Sequence, residues 1–206
     1  NGGQVIPGLK ELPEQVLNHF GDEIGKKIIG LAGSAPDYVF DLIKRNNIDC
    51  SAVQNGWIQA SLTRAGLDTN KRLVRQWKKY DAPVELLSTP DIRSLIGSAT
   101  YSGGILDYRG GKLHPLNYVI GLAKVAQDAG ILIFQDSPVT SIKSKDGSFE
   151  INCPEGSIIA EKVVLTTNAY GDAQTGTINR NVIPVQSVQV ATAPLSDNIL
   201  KTILPK

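Results

Sequence analysis

The chain has 206 residues, 41% hydrophobic and 20% charged, with Lys+Arg 21 against Asp+Glu 20 and a formal net charge of +1. That balance belongs to a globular chain of about one or two domains with a real core, and it excludes a disordered or fibrous one. A nucleic-acid binder working by bulk charge would carry a basic excess, and no apolar run approaches the ~20 residues of a bilayer span. Cys50 and Cys153 lie far apart and outside any C-x-x-C spacing, so both are expected to be reduced, and no metal site is expected. No methionine occurs, so the chain is expected to be an internal piece of a longer protein.

Residues 12–30 carry Val16, Leu17, Phe20, Ile24, Ile28 and Ile29 near a helical period. Gly21 and Gly25 each cost about 1 kcal/mol against alanine, so a break is expected there. A second helix is expected to start with Ser34 as its cap and Pro36 in its first turn, and to end at Asn46-Asn47. Residues 50–62 predict one or two strands with a turn near Asn55-Gly56. Residues 67–80 predict a helix with Leu73, Val74 and Trp77 inward. Its other face carries Lys71, Arg72, Arg75, Lys78 and Lys79, a solvated surface or a dock for an acidic partner. A short strand at 84–87 and a helix from Thr89-Pro90-Asp91 to Gly97 follow.

Residues 101–108 predict a strand pair, or one bent strand, around Gly103-Gly104. Residues 115–129 form the strongest helix pattern, with Pro115 at its first position and Gly130 just past its end. The continuous apolar run 131–134 is expected to be a buried parallel strand. Residues 139–145 and 149–153 predict a hairpin about Asp146-Gly147, with 157–160 as its third strand. Val163-Val164-Leu165, within 162–167, predicts a second buried parallel strand ending in a small polar run. A last strand is expected within 182–193, with Pro184 at an edge or bend.

Several short motifs occur in one order. They are Asn1-Gly2-Gly3-Gln4, Gly110-Gly111-Lys112-Leu113-His114-Pro115, Tyr118 with Gly121-Leu122-Ala123, Gly130, the hairpin from Val139, and Val163-Val164-Leu165-Thr166-Thr167-Asn168-Ala169-Tyr170. This order resembles the FAD-dependent D-amino acid oxidase superfamily, and is most similar to its γ-glutamylputrescine oxidase branch. The resemblance is strong over residues 99–195 and weak over 11–98. The family's strand–G-x-G-x-x-G–helix unit is absent from this chain.

The resemblance implies an α/β fold. It would be a partial, two-layer, glutathione-reductase-like FAD-binding domain with an antiparallel excursion over 139–160 and a portion of the substrate domain. Residues 1–34 and 107–185 would belong to the FAD-binding domain and 35–106 to an inserted region bordering the substrate domain, which begins at 186–206. It further implies FAD contacts from Gly2, Gly3 and Gln4 at the flavin ring and from the Val139 backbone at the adenine. Thr167, Asn168 and Ala169 would lie at the pyrophosphate, beyond the carboxyl end of a strand. His114 could hydrogen-bond substrate or flavin, or simply cap its helix. Tyr101 and Tyr108 could line a substrate pocket or belong to a core.

The activity implied is oxidation of an amine or amino acid to an imine, then an aldehyde or keto acid, with dioxygen giving H2O2. No catalytic residue is singled out. A flavin-dependent dehydrogenase subunit passing electrons to a partner stays open. So does a non-catalytic interaction module using the basic helix. The expected setting is cytoplasmic. The isolated chain is expected to be inactive and poorly stable, because the absent first strand would leave an edge of the Val163 strand unpaired.

Overall fold

A computed structural model describes residues 2–170, 181–183, 185, 186, 188 and 190–205. The chain divides into two compact units, Asn1–Ala129 with Ala191–Lys206, and Gly130–Val190. The first unit opens with a short strand, β1 (Gln4–Val5), and a long helix, α1 (Pro13–Arg45). The break expected at Gly21 or Gly25 falls at Gly21, whose φ of 72° and ψ of 171° kink α1 there.

The restart expected at Ser34 does not occur. The Ser34 hydroxyl donates back to the Gly30 carbonyl at 3.0 Å, and the helix continues through Pro36. Proline there removes the N–H that would have bonded the Ala32 carbonyl. The Gly8 N–H, from a loop distant in sequence, donates to that carbonyl instead, at 3.2 Å. A tertiary bond thus offsets a local helix-breaking signal. The helix ends where expected, with Asn46 as its C-cap and Asn47 at a φ of 51°.

The sheet of this unit has the order β2 (Trp57–Ser61), β4 (Gly103–Asp107), β3 (Val84–Leu87), all antiparallel. Residues 101–108 therefore supply one central strand and not a pair. It begins with two glycines, the second for a packing reason: a side chain at Gly104 would press on Gln59 and Ile92. Helix α2 (Arg64–Trp77) packs against the sheet, started by the Thr63 hydroxyl accepting from the Gly66 N–H at 3.1 Å. Buried Asn70 fastens it to β2, donating to the Gln59 carbonyl at 3.1 Å and the Ser61 hydroxyl at 2.8 Å. Helix α3 (Thr89–Ile96) is capped by Ser88 and stops at Gly97 as expected.

Val16 and Ile29 of α1, Val74 and Trp77 of α2, Val84 and Ile105 form the main core. A second core joins Ile43, Ile48 and Cys50 to Tyr118 and Leu122 of α4 (Pro115–Asp128). The two-residue strand β5 (Gly111–Lys112) precedes α4. Near the C-terminus, one helical turn (Asp197–Leu200) leads to Leu204, whose N–H donates to the Ile96 carbonyl at 3.1 Å.

The second unit is an antiparallel sheet in the order β6 (Ser141–Lys145), β7 (Ser148–Cys153), β8 (Gly156–Ala160). Asp146 and Gly147 turn the first hairpin with φ of 50° and 82°, the two positive values of a type I′ turn. The parallel strands expected at 131–134 and 163–165 are not formed. Leu132 is 78% exposed and Val164 81%, and every pairing among the described residues is antiparallel. An apolar run becomes a strand only when a neighbour completes its ladder, and no described segment does so here. The edge expected on the Val163 strand is accordingly not a strand edge. The strand expected over 182–193 is likewise not seen among its described residues; Pro184 lies outside them.

Candidate functional site

Gly2, Gly3 and Gln4 lead into β1, which pairs antiparallel with β5 through Gln4 opposite Lys112 and Val5 opposite Gly111. The Leu113 N–H donates to the Gly3 carbonyl at 2.8 Å. Gly3 is buried at a φ of 74°, and a Cβ there would fall 2.1 Å from the Leu113 carbonyl oxygen. Only glycine lets the two backbones approach this closely. Gly2 and Gln4, on either side of it, are exposed.

His114 closes this arrangement. Its N–H donates to the Cys50 carbonyl at 2.7 Å, and its Nδ1 accepts from the Asn117 N–H at 3.2 Å as the N-cap of α4. That bond uses the Nδ1 lone pair, so any ring proton sits on Nε2 in this geometry. Of the two readings of His114, the cap is therefore the one with a partner in the structure.

Val139, Thr167, Asn168 and Ala169 all lie in the second unit. Val139 immediately precedes Thr140, whose N–H donates to the Asn152 carbonyl at 2.7 Å. Asn168 opens a short 3-10 turn (Asn168–Tyr170) at a φ of 52°, a left-handed position that asparagine tolerates better than most side chains.

Tyr108 is 45% exposed, and its hydroxyl donates to Glu85 Oε2 at 3.2 Å. Desolvation, and then the Glu85 carboxylate, raise its phenol above the ordinary range. Tyr101 is half-buried just before β4. Tyr108 borders an open cleft of about 770 Å³ whose polar wall includes Lys79, Asp81 and Arg109. The structure thus gives Tyr108 and His114 separate local partners.

A cluster that sequence reasoning missed lies behind this cleft. Arg109 donates from Nε to Asp107 Oδ1 at 2.9 Å and from Nη2 to Oδ2 at 2.6 Å, with both residues buried. Its guanidinium lies 4.5 Å from the centre of the Trp77 ring, and Nη1 donates to the Gly33 carbonyl at 3.3 Å. The Gln54 amide ties the Arg109 carbonyl, at 2.9 Å, to Asp37, at 2.7 Å. The only sequence signal was two opposite charges at the end of an apolar strand.

The two cysteines are free thiols. Cys50 is fully buried, and desolvation pushes its thiol above the ordinary range, whereas Cys153 is half-buried with Sγ 3.7 Å from the Ser137 carbonyl oxygen. A thiol reagent should label Cys153 in the folded protein and Cys50 only after denaturant is added. Mass mapping of the labelled peptides checks this, and early labelling of Cys50 would show that the second core opens. Among the described residues, no helix is long and apolar enough to cross a membrane, and no group of three or more His, Cys, Asp or Glu side chains is placed to hold a metal ion.

Comparison with known proteins decides the family. The family described as FAD dependent oxidoreductase matches residues 1–205. The chain belongs to the FAD-dependent oxidoreductase family. It is 30% identical over 210 residues to the probable oxidoreductase OrdL of Haemophilus influenzae, covering 99% of this chain and 48% of that protein. It is 26% identical over 208 residues to the gamma-glutamylputrescine oxidoreductase of Escherichia coli, covering 100% of this chain and 48% of that protein. The chain thus spans about half the length of these relatives. Glycine oxidase from Geobacillus kaustophilus shares the fold, with a TM-score of 0.62 and 22% identity over 72% of this chain and 42% of that one. The mixed α/β architecture is therefore that of this family of flavoenzymes.

FAD is the family's cofactor. Of the three residues that the resemblance assigns to the flavin ring, Gly2 and Gln4 are exposed, as a contact requires, whereas Gly3 is buried against the Leu113 carbonyl. The pairing of β1 with β5 holds this segment in place.

Proposed function

We propose that the protein to which this chain belongs oxidises the C–N bond of an amine or amino acid to an imine, which water hydrolyses to an aldehyde or keto acid. The observation that carries this reading is the family match over residues 1–205, supported by a relative named for γ-glutamylputrescine. Bound FAD supplies the two-electron acceptor for such chemistry. The chain's own part is binding and orientation. Gln4 would hydrogen-bond the ring heteroatoms, with exposed Gly2 leaving room for the ring and Gly3 holding the loop close against Leu113. The Val139 backbone would meet the adenine, and Thr167, Asn168 and Ala169 the pyrophosphate. No proton-transfer role is given to His114 or Tyr108; the substrate would enter as the neutral amine. Dioxygen is the proposed final acceptor, reduced to H2O2.

The test is anaerobic mixing of the intact flavoprotein with γ-glutamylputrescine, glycine and a panel of L-amino acids. At least one should bleach the flavin absorbance, and air should restore it with release of H2O2. If no amine or amino acid bleaches it, the reading fails. Bleaching that air does not reverse would instead assign the acceptor role to an electron-carrying partner.

A further inference from the structure

A second cleft of the first unit, of about 560 Å³, has no part in the reading above. It lies between the loop after β1, the β2–β4 end of the sheet, and α2. Its volume is that of a small-molecule site. Trp57, Trp77 and Leu73 give it aromatic and apolar walls. The one acid that lines it, Asp107, is already held by both nitrogens of the Arg109 fork.

Two cations, Lys10 and Arg72, line the same cleft and are exposed. The acids beside them in sequence have nearer partners: Asp68 pairs with Lys71 at 2.9 Å and feels Arg72 only as a lesser charge, and Glu11 pairs with His19 at 3.1 Å. Among the described residues, neither Lys10 nor Arg72 has an ion-pair partner. The cleft therefore combines an apolar aromatic interior with two cations that make no ion pair among the described residues. The complementary ligand is an anion with an apolar body. A carboxylate suits it best, since a guanidinium can hold one through paired hydrogen bonds.

We propose that this cleft binds an amphipathic carboxylate, with its apolar body between Trp57 and Trp77 and its carboxylate at Arg72 and Lys10. None of its lining residues is among the proposed flavin contacts.

The chain contains two tryptophans, and both line the cleft, so intrinsic fluorescence reports on it directly. Titrating the intact flavoprotein with phenylbutyrate should give a saturable tryptophan fluorescence change that Trp57→Phe diminishes. The neutral phenylbutyramide should bind about ten-fold more weakly, the loss of one charge-assisted contact. Arg72→Gln should weaken phenylbutyrate by a similar factor, with far-UV circular dichroism unchanged. Lys10→Gln, in a loop, gives the same test without touching a helix. Lys78→Gln, just past the end of α2 and outside the cleft lining, should leave binding as it was. The proposal is overturned by the absence of a saturable change, by equal binding of the amide, or by a Lys78→Gln loss as large as that of Arg72→Gln. The readout is ligand binding and not flavin reduction, so failure here would leave the amine-oxidation reading untouched.

Discussion

Replacing Asp107 with alanine is expected to cost about 3–5 kcal/mol of folding stability, the usual penalty for leaving a buried charge without its partner. Asp107 is 3% exposed and Arg109 8%, so water screens the pair poorly. The carboxylate accepts from Arg109 Nε, Nη2 and backbone N–H at 2.9, 2.6 and 3.1 Å. Without it, the guanidinium would keep only the Gly33 carbonyl and the Trp77 ring. Urea unfolding followed by far-UV circular dichroism measures the loss. The double substitution Asp107→Leu with Arg109→Met should be less damaging than Asp107→Ala alone, because it removes both charges together. A loss below about 1 kcal/mol for Asp107→Ala would mean that the pair behaves as a solvent-screened surface bridge.

Trp77→Ala should cost a similar ~3–5 kcal/mol, from lost burial and from the cavity left behind. Trp77 is 4% exposed and sits where three parts of the chain meet. A Cβ on Gly8 would come within 2.8 Å of its ring, and one on Gly33 within 3.2 Å. Its ring also lies under Arg109 and stands edge-on to Tyr80, at 6.3 Å between centroids. Because Trp77 and Arg109 touch, the Trp77 and Asp107 substitutions should not add. A double-mutant cycle is expected to show coupling of about 0.5–3 kcal/mol. Trp77→Phe should recover part of the loss by keeping an aromatic ring in the gap. A cost below about 1 kcal/mol for Trp77→Ala would show that Gly8 and Gly33 close over the vacancy, since the penalty depends on how far a site collapses.

Much of this architecture is written in short-range chemistry. The helical period of α2, and the start and stop signals of α3 and α4, needed no partner to be read, because each signal lies within a turn or two of the element it defines. The same holds for the Asp146-Gly147 hairpin, whose left-handed backbone is a local demand on residue type. Family membership was legible too, in the order of motifs such as Gly2-Gly3-Gln4 and Gly110-Gly111. Their glycines record close backbone approaches, like that of Gly3 to Leu113.

Tertiary structure decided the rest. Ser34 and Pro36 spelled a helix start, yet the Gly8 N–H supplied the bond that proline withholds, and α1 ran on. The apolar runs at 131–134 and 163–165 spelled buried strands, but a strand is completed by its neighbour and none of the described segments pairs with them. The Asp107–Arg109–Trp77 cluster brings an acid and a base at the end of β4 against the end of α2. Neither its burial nor its pairing follows from any local pattern. Sequence by itself determined the elements whose stabilising partners are near neighbours, along with the family. Only the fold decided which polar groups were satisfied at a distance, because hydrogen bonds and burial between remote residues depend on where the chain returns and not on what it is made of.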